Sequence, residues 1–305
     1  MAPKLNPNSF SHEADRRALE NLKSIPGFTP LLKWVMRIFD ERQIKLINLS
    51  SRLKVGPEQC PRIYKLLTPI CEAFGIPVPD IYLQLDRTPN AYATGASYIS
   101  IIVNTGLLEI MDDHLVQAVL AHECGHIVCG HVLYRTMAEI LVDATTELLG
   151  LGAIGTEALK VALAYWKRCS ELSADRAAAI FNGEPDTTVD VMMYLAAGCE
   201  KVSSEFDRDL FIAQADQYLE YAKSSGWNRI LEFLILAEMD HPLLAVRAKA
   251  ILDYAKTKNY INLVNKLHGI KEVGDGKHCP HCGAPIEEGY IFCRSCGKKL
   301  DEEGE

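Results

Sequence analysis

The sequence predicts an α+β fold that is mainly helical, with a small antiparallel sheet and a short cysteine-rich module at the C-terminus. Three observations carry this. Apolar residues recur at helical spacing over most of the 305 residues. Alternating and β-branched segments are confined to residues 81–103, and two Cys-x-x-Cys pairs stand beyond the point where the apolar pattern stops.

From Asp15 to Leu53 the pattern is helical, broken at Ile25-Pro26-Gly27. Leu31, Trp34, Val35 and Ile38 form one stripe, with Arg37, Arg42, Lys45 and Arg52 among them, and packing onto the domain is the expected role of this stripe. A second helix from about Cys60 to Phe74 stops at Gly75, and Ile76-Pro77-Val78-Pro79-Asp80 then forces extended chain. Three strands follow: Ile81 to Leu85, Asn90 to Thr94 and Tyr98 to Val103, the last two joined by a turn at Thr94-Gly95-Ala96-Ser97. Asp112 or Asp113 is placed to cap a long helix running from Leu115 to Ala138. Gly150 to Gly155 matches a dinucleotide glycine pattern in letters alone; a helix rather than a strand precedes it, so it reads as a bend. Helical segments continue at 157–179, 188–201, 208–224, 226–238 and 242–256. The expected organisation is one domain over 1–267, a linker at 268–277, a cysteine module at 278–300 and an acidic tail at 301–305.

The net charge of −8 and pI near 5.6 argue against a nucleic-acid binder. Charge is unevenly spread: residues 1–65 hold 12 Lys/Arg against 6 Asp/Glu, which allows weak peripheral contact with an acidic surface such as a membrane. No signal-peptide apolar region opens the chain. The most apolar stretch, Leu141 to Trp166, is interrupted by Asp143, Glu147, Glu157 and Lys160, so no transmembrane segment is expected. Of ten cysteines, six are scattered without framework spacing; reduced thiols and a cytoplasmic location follow as expectations.

The chemistry centres on His122-Glu123-Cys124-Gly125-His126. Two histidines four apart on a helix stack on one face and can reach one ion, while Glu123 lies a quarter-turn away, where it can meet a metal-bound water without ligating. A third ligand is needed. His131 is near, but five residues past His126 is a poor helical offset, and the metzincin places for Gly and His hold Cys129 and Val132; His131 reads as a polar helix end. Glu171 in Glu171-Leu-Ser-Ala-Asp175 is the better candidate, because an acidic pair at i and i+4 offers one carboxylate to the metal and one to the N–H of a ligating histidine.

The ordered set Asn90-Ala91-Tyr92-Ala93-Thr94-Gly95, HExxH, Glu171-x-x-Ala174-Asp175 and His241-Pro242 with Arg247 resembles the HtpX and CAAX prenyl endopeptidase family of zinc metallopeptidases. The similarity covers about residues 12–256. It implies a zincin-like fold, zinc on His122, His126 and Glu171, Glu123 as general base, and Asp175 as the carboxylate behind a ligating histidine. It also implies that Asn90 to Gly95 line the cleft rim, where substrate adds as a strand, and that His241 and Arg247 contact the reacting carbonyl oxygen. Many family members carry transmembrane helices between HExxH and the third ligand; this chain has acids scattered there instead.

Cys279, Cys282, Cys293 and Cys296 form two knuckles, each followed by Gly, with the spacing of a structural Zn2+ site in a short zinc ribbon. The expectation is therefore two zinc ions, one catalytic and one structural. The function expected is peptide-bond hydrolysis in a peptide or protein substrate by attack of a zinc-bound water. The rival is a metal-containing scaffold that binds partners without cleaving them.

Overall fold

The computed structural model describes residues 5–38, 41–143, 152–199, 201–222, 243–270 and 298. His241, the four ribbon cysteines and the helix expected at 226–238 lie outside the described residues.

The chain opens with α1 (Pro7–Phe10), α2 (Glu13–Ser24), α3 (Phe28–Ile38) and α4 (Glu41–Ser51). A short strand β1 (Leu53–Val55) follows, then α5 (Pro61–Phe74), β2 (Asp80–Gln84), β3 (Ala91–Thr94) and β4 (Ser100–Asn104). Helix α5 closes on Gly75 in the left-handed region, φ 68°, where glycine has no Cβ to clash. Helices α6 (Thr105–Ile110), α7 (Asp113–Val128), α8 (Val132–Asp143), α9 (Gly152–Asn182), α10 (Pro185–Ala197), α11 (Arg208–Ala222), α12 (Leu244–Ala255) and α13 (Lys258–His268) complete the described α-helices.

The sheet order is β1-β2-β4-β3, and it is mixed, which corrects the antiparallel expectation. β2 and β4 run parallel with Ile81 opposite Ile101, whereas β1–β2 and β3–β4 are antiparallel. The physical reason lies in β4: all five of its residues are buried, so it takes an interior place and the chain must cross to the edge before returning through it. Asn104 secures the crossing, its backbone N–H donating to Asn90 O at 3.0 Å and its Nδ2 to Thr88 O at 3.1 Å. β1 begins at Leu53, the last residue of the pattern read as helix, and was not expected; three residues are too few to show a period of two.

The helix expected as one piece from Leu115 to Ala138 is two. Asp112 caps α7 by accepting the Leu115 N–H at 2.9 Å. Gly130, φ 72°, ends it in a Schellman turn: Gly130 N–H donates to Ile127 O at 3.0 Å and His131 N–H to His126 O at 2.9 Å. The turn folds His131 back beside the helix it has just left. Gly152 and Gly155 lie within the first turns of α9 where a bend was expected, while 150 and 151 lie outside the described residues.

The largest core cluster joins the sheet, α5, α7 and α9, with Leu67, Ile70, Ile101, Leu107, Leu120 and Ile180 at or near zero exposure. A second packs α2 and α3 against α8 and α9 around Trp166, and a third joins α10, α11 and α12 around Met192. Among the described residues no helix is long and apolar enough to cross a membrane. Cys60, Cys71, Cys124, Cys129, Cys169 and Cys199 are free thiols.

Candidate metal centre

Helices α7 and α9 supply the donors. They approach closely because Gly125 faces Ala174 and Ala177: a Cβ at Gly125 would stand 2.9 Å from Ala177 Cβ and 3.0 Å from Ala174 Cα. With that separation His122 and His126 on α7 meet Glu171 on α9, and one donor atom from each lies within 4.8 Å of the others. All three side chains are buried.

The spacing suits a small ion. His122 Nε2 and His126 Nε2 are 3.2 Å apart, and Glu171 oxygens lie 3.5 Å from His122 Nε2 and 3.3 Å from His126 Nε2. A tetrahedral zinc with bonds of about 2.0–2.1 Å separates its ligand atoms by roughly 3.3–3.4 Å. The donor types, two imidazoles and a carboxylate, are those zinc takes, so the residues present fit the ion.

The other nitrogen of each imidazole is held by a partner. His122 Nδ1 lies 3.0 Å from Asp175 Oδ1. His126 Nδ1 lies 3.0 Å from Nδ1 of His131, whose Nε2 lies 3.0 Å from Asp15 Oδ2. Asp15, on α2, also accepts Ser173 Oγ at 2.6 Å and Trp166 Nε1 at 3.1 Å. One proton assignment satisfies the whole chain: His126 donates from Nδ1 to His131, and His131 donates from Nε2 to Asp15, which leaves His126 Nε2 free to ligate. His131, read from the sequence as a polar helix end, is buried at 1% exposure beside His126.

Two arginines face Glu171. Arg247 on α12 forks onto Asp175, Nε at 2.8 Å and Nη2 at 2.7 Å, and its Nη1 lies 2.9 Å from Glu171 Oε2. Arg135 on α8 donates to Glu171 Oε1 and lies 3.3 Å from His126 Nε2. Burial alone would raise the Glu171 carboxyl; the Arg247 and Arg135 charges outweigh it and hold it well below the usual range. Burial also acts to lower His122, but Asp175 and Glu171 override it and lift the group to about 9. His126, buried beside Arg135, is pushed well below its ordinary value.

Glu123 is 2% exposed and its Oε2 accepts the Ala93 N–H at 2.9 Å. β3 is an edge strand, so the rim residues Ala91, Tyr92, Ala93 and Thr94 lie along a sheet edge beside α7, with Asn90 at its entry. Gly95 exchanges two hydrogen bonds with Thr136 of α8, Oγ1 accepting its N–H at 3.2 Å and donating to its O at 3.1 Å. Its φ of 122° and the Tyr98 carbonyl 2.0 Å from where a Cβ would stand explain the glycine. A cleft opens beside His122 and Glu123, walled by Ala91, Val119, Thr188, Met192 and Leu195 and bordered by Arg247. Cys124 faces the core at 0% exposure, and burial pushes its thiol up.

Sequence reasoning missed Asp15, His131 and Arg135. Asp15 carried a signal: it shares the buried stripe of α2 with Ala18 and Leu22, where a charge needs a partner.

The profile of peptidase family M48 matches residues 57–255, and that of a domain of unknown function (DUF7577) matches residues 275–300. The chain is similar to plastoglobule-localized metallopeptidase 48, chloroplastic, of Arabidopsis thaliana, 31% identical over 87% of this chain and 77% of that protein. It is also similar to Protease HtpX homolog 2 of Methanosarcina acetivorans, 27% identical over 50% of this chain and 60% of that protein. A Protease HtpX homolog of Ralstonia nicotianae is 22% identical over 52% of this chain and 65% of that protein. The chain thus spans under two thirds of the length of these two HtpX homologues. No solved structure matches. The family profile covers well over half of the chain and meets the His-His-Glu cluster within it; the chain belongs to peptidase family M48 and is a zinc metallopeptidase.

Proposed function

We propose that the chain is an endopeptidase that cleaves an extended segment of a peptide or protein laid along β3, with zinc on His122, His126 and Glu171 and Glu123 as general base. The observation that carries this reading is the donor spacing of 3.2–3.5 Å with Glu123 at its side. Zinc held there would supply a water of pKa lowered toward neutrality and would polarise the scissile carbonyl. Glu123 takes a proton from the attacking water and returns one to the leaving amine nitrogen. The Ala93 N–H that holds Glu123 ties the base to the strand that carries the substrate, so position along β3 and position at the base are set together. Main-chain pairing to an edge gives affinity with modest sequence selectivity.

Asp175 and the His131–Asp15 pair keep the two imidazoles turned with Nε2 inward, and Arg247 holds Asp175 and Glu171 ionised and in place. His241 is proposed, from the family resemblance alone, to meet the charge that develops on the carbonyl oxygen, with Arg247 adding to the positive field there. Cys279, Cys282, Cys293 and Cys296 are proposed to hold a second, structural zinc in a ribbon that docks partners, supported by their spacing. A reducing, cytoplasmic compartment belongs to the same reading, supported by the free thiols.

Metal analysis tests the site. The purified chain is expected to hold two zinc ions, and Glu171→Ala one. Two zinc ions retained by Glu171→Ala would remove Glu171 as a ligand.

A further inference from the structure

Helix α4 is built inside out. The face it turns to the sheet is polar: Asn48, at 0% exposure, donates through Nδ2 to Ser100 Oγ at 3.2 Å. Glu41 Oε1 accepts the backbone N–H groups of Ala96 at 2.9 Å and Tyr98 at 3.0 Å, and its carboxylate also binds Ser97. Just past the helix, Arg52 donates from Nε to Gln84 Oε1 at 2.7 Å and from Nη2 to Tyr92 Oη at 3.1 Å. Positions 41, 48 and 52 recur at spacings of seven and four, which is one helical face.

The outward side carries the apolar residues. Leu46, Ile47 and Leu49 are 66%, 54% and 55% exposed, and Leu53 at 47% follows them. Leu85, 91% exposed, comes directly after the Gln84 that Arg52 holds. Single exposed leucines are ordinary; three on one short helix, with Leu53 directly after it and Leu85 next to the Gln84 that Arg52 holds, are not. Arg42 and Lys45 are exposed among them, Lys54 is paired with Asp80 at 2.7 Å, and the one acid of the helix, Glu41, faces inward. A patch of apolar side chains flanked by cations, with no exposed acid between 42 and 54, matches an interface of acyl chains beneath anionic headgroups.

We propose that α4, with Leu53 and Leu85, seats the protein on an anionic lipid surface. The same helix grips the β3–β4 turn through Glu41, and Arg52, just past it, bonds Tyr92 of strand β3, so seating holds the cleft rim close to that surface. The seating itself does not depend on the peptidase reading.

Vesicle flotation of the full chain tests it. The protein is expected to float with vesicles of phosphatidylcholine and phosphatidylglycerol and to be released by salt. Leu46→Ser/Ile47→Ser/Leu49→Ser is expected to lower the bound fraction about tenfold or more, and Arg42→Glu/Lys45→Glu to do the same. Both variants should keep their zinc and their cleavage of a short soluble peptide. Failure of the unaltered chain to float would overturn the proposal, as would flotation of both variants at the original level. A dimer in light scattering that the triple-serine variant makes monomeric, with no vesicle binding, would assign the patch to a second copy and overturn it too.

Discussion

His131 Nδ1 lies 3.0 Å from His126 Nδ1, although the two residues are separated by the end of one helix and the start of another. The Schellman turn at Gly130 makes this contact possible, and Asp15 completes it from α2. Helix α2 lies before the stretch matched by the family profile, so the N-terminal segment reaches the metal centre through a single buried carboxylate.

Replacing His131 by Ala should therefore loosen zinc without removing a ligand. Loss of an outer partner of a ligating histidine lowers metal affinity by roughly 10–100-fold. Competition with a chromophoric chelator measures it, and an unchanged affinity would show that His126 is oriented by other contacts.

Asp15 makes a pH prediction. Burial acts to raise its carboxyl, but the His131 bond leads a set of contacts that overrides burial and leaves the group below 3.8. A depressed folded value means stability that is present above the unfolded value and lost as pH falls through the folded one. Asp15→Asn should thus be less stable by about 1–3 kcal/mol at neutral pH. In urea titrations the gap should stay constant down to about pH 5 and narrow below about pH 4.

Gly125 sets the distance between α7 and α9. Gly125→Ala brings a Cβ to 2.9 Å from Ala177 Cβ, with backbone of Ala174 equally close, so neither neighbour can yield by a rotamer change. A loss of about 1–3 kcal/mol in denaturant unfolding is expected. Zinc should bind more weakly as well, since Glu171 rides on the displaced helix.

Arg247→Ala leaves Asp175 and Glu171 buried without their fork. Removing one partner of a buried ion pair costs about 3–5 kcal/mol. Arg247→Lys should recover part of that, because an ammonium restores the charge without the two-pronged geometry. Thermal unfolding of the two variants tests the order.

Much of this was legible in the sequence because short-range spacing encodes it. HExxH and Glu171-x-x-x-Asp175 each lie on one helix, where a spacing of four fixes the shared face. The caps at Asp112 and Gly75 were legible for the same reason. What escaped depends on long-range meetings: Asp15 with His131 and Ser173, and Arg135 with Glu171. The parallel pairing of β2 with β4 escaped too, since alternation within a strand says nothing about its neighbours. The break at Gly130 was available as a C-terminal glycine signal, and the continuous apolar pattern on both sides concealed it.

Glu123 is proposed to move the proton at a zinc site made by His122, His126 and Glu171. Glu123→Gln preserves shape and leaves the three donors untouched, so the most direct measurement is zinc content and cleavage of an unfolded protein substrate by this variant beside the unaltered chain. Unchanged zinc and a rate lower by about 10²–10⁴-fold or more are expected. Cleavage at the original rate by a zinc-loaded Glu123→Gln would contradict this role of Glu123.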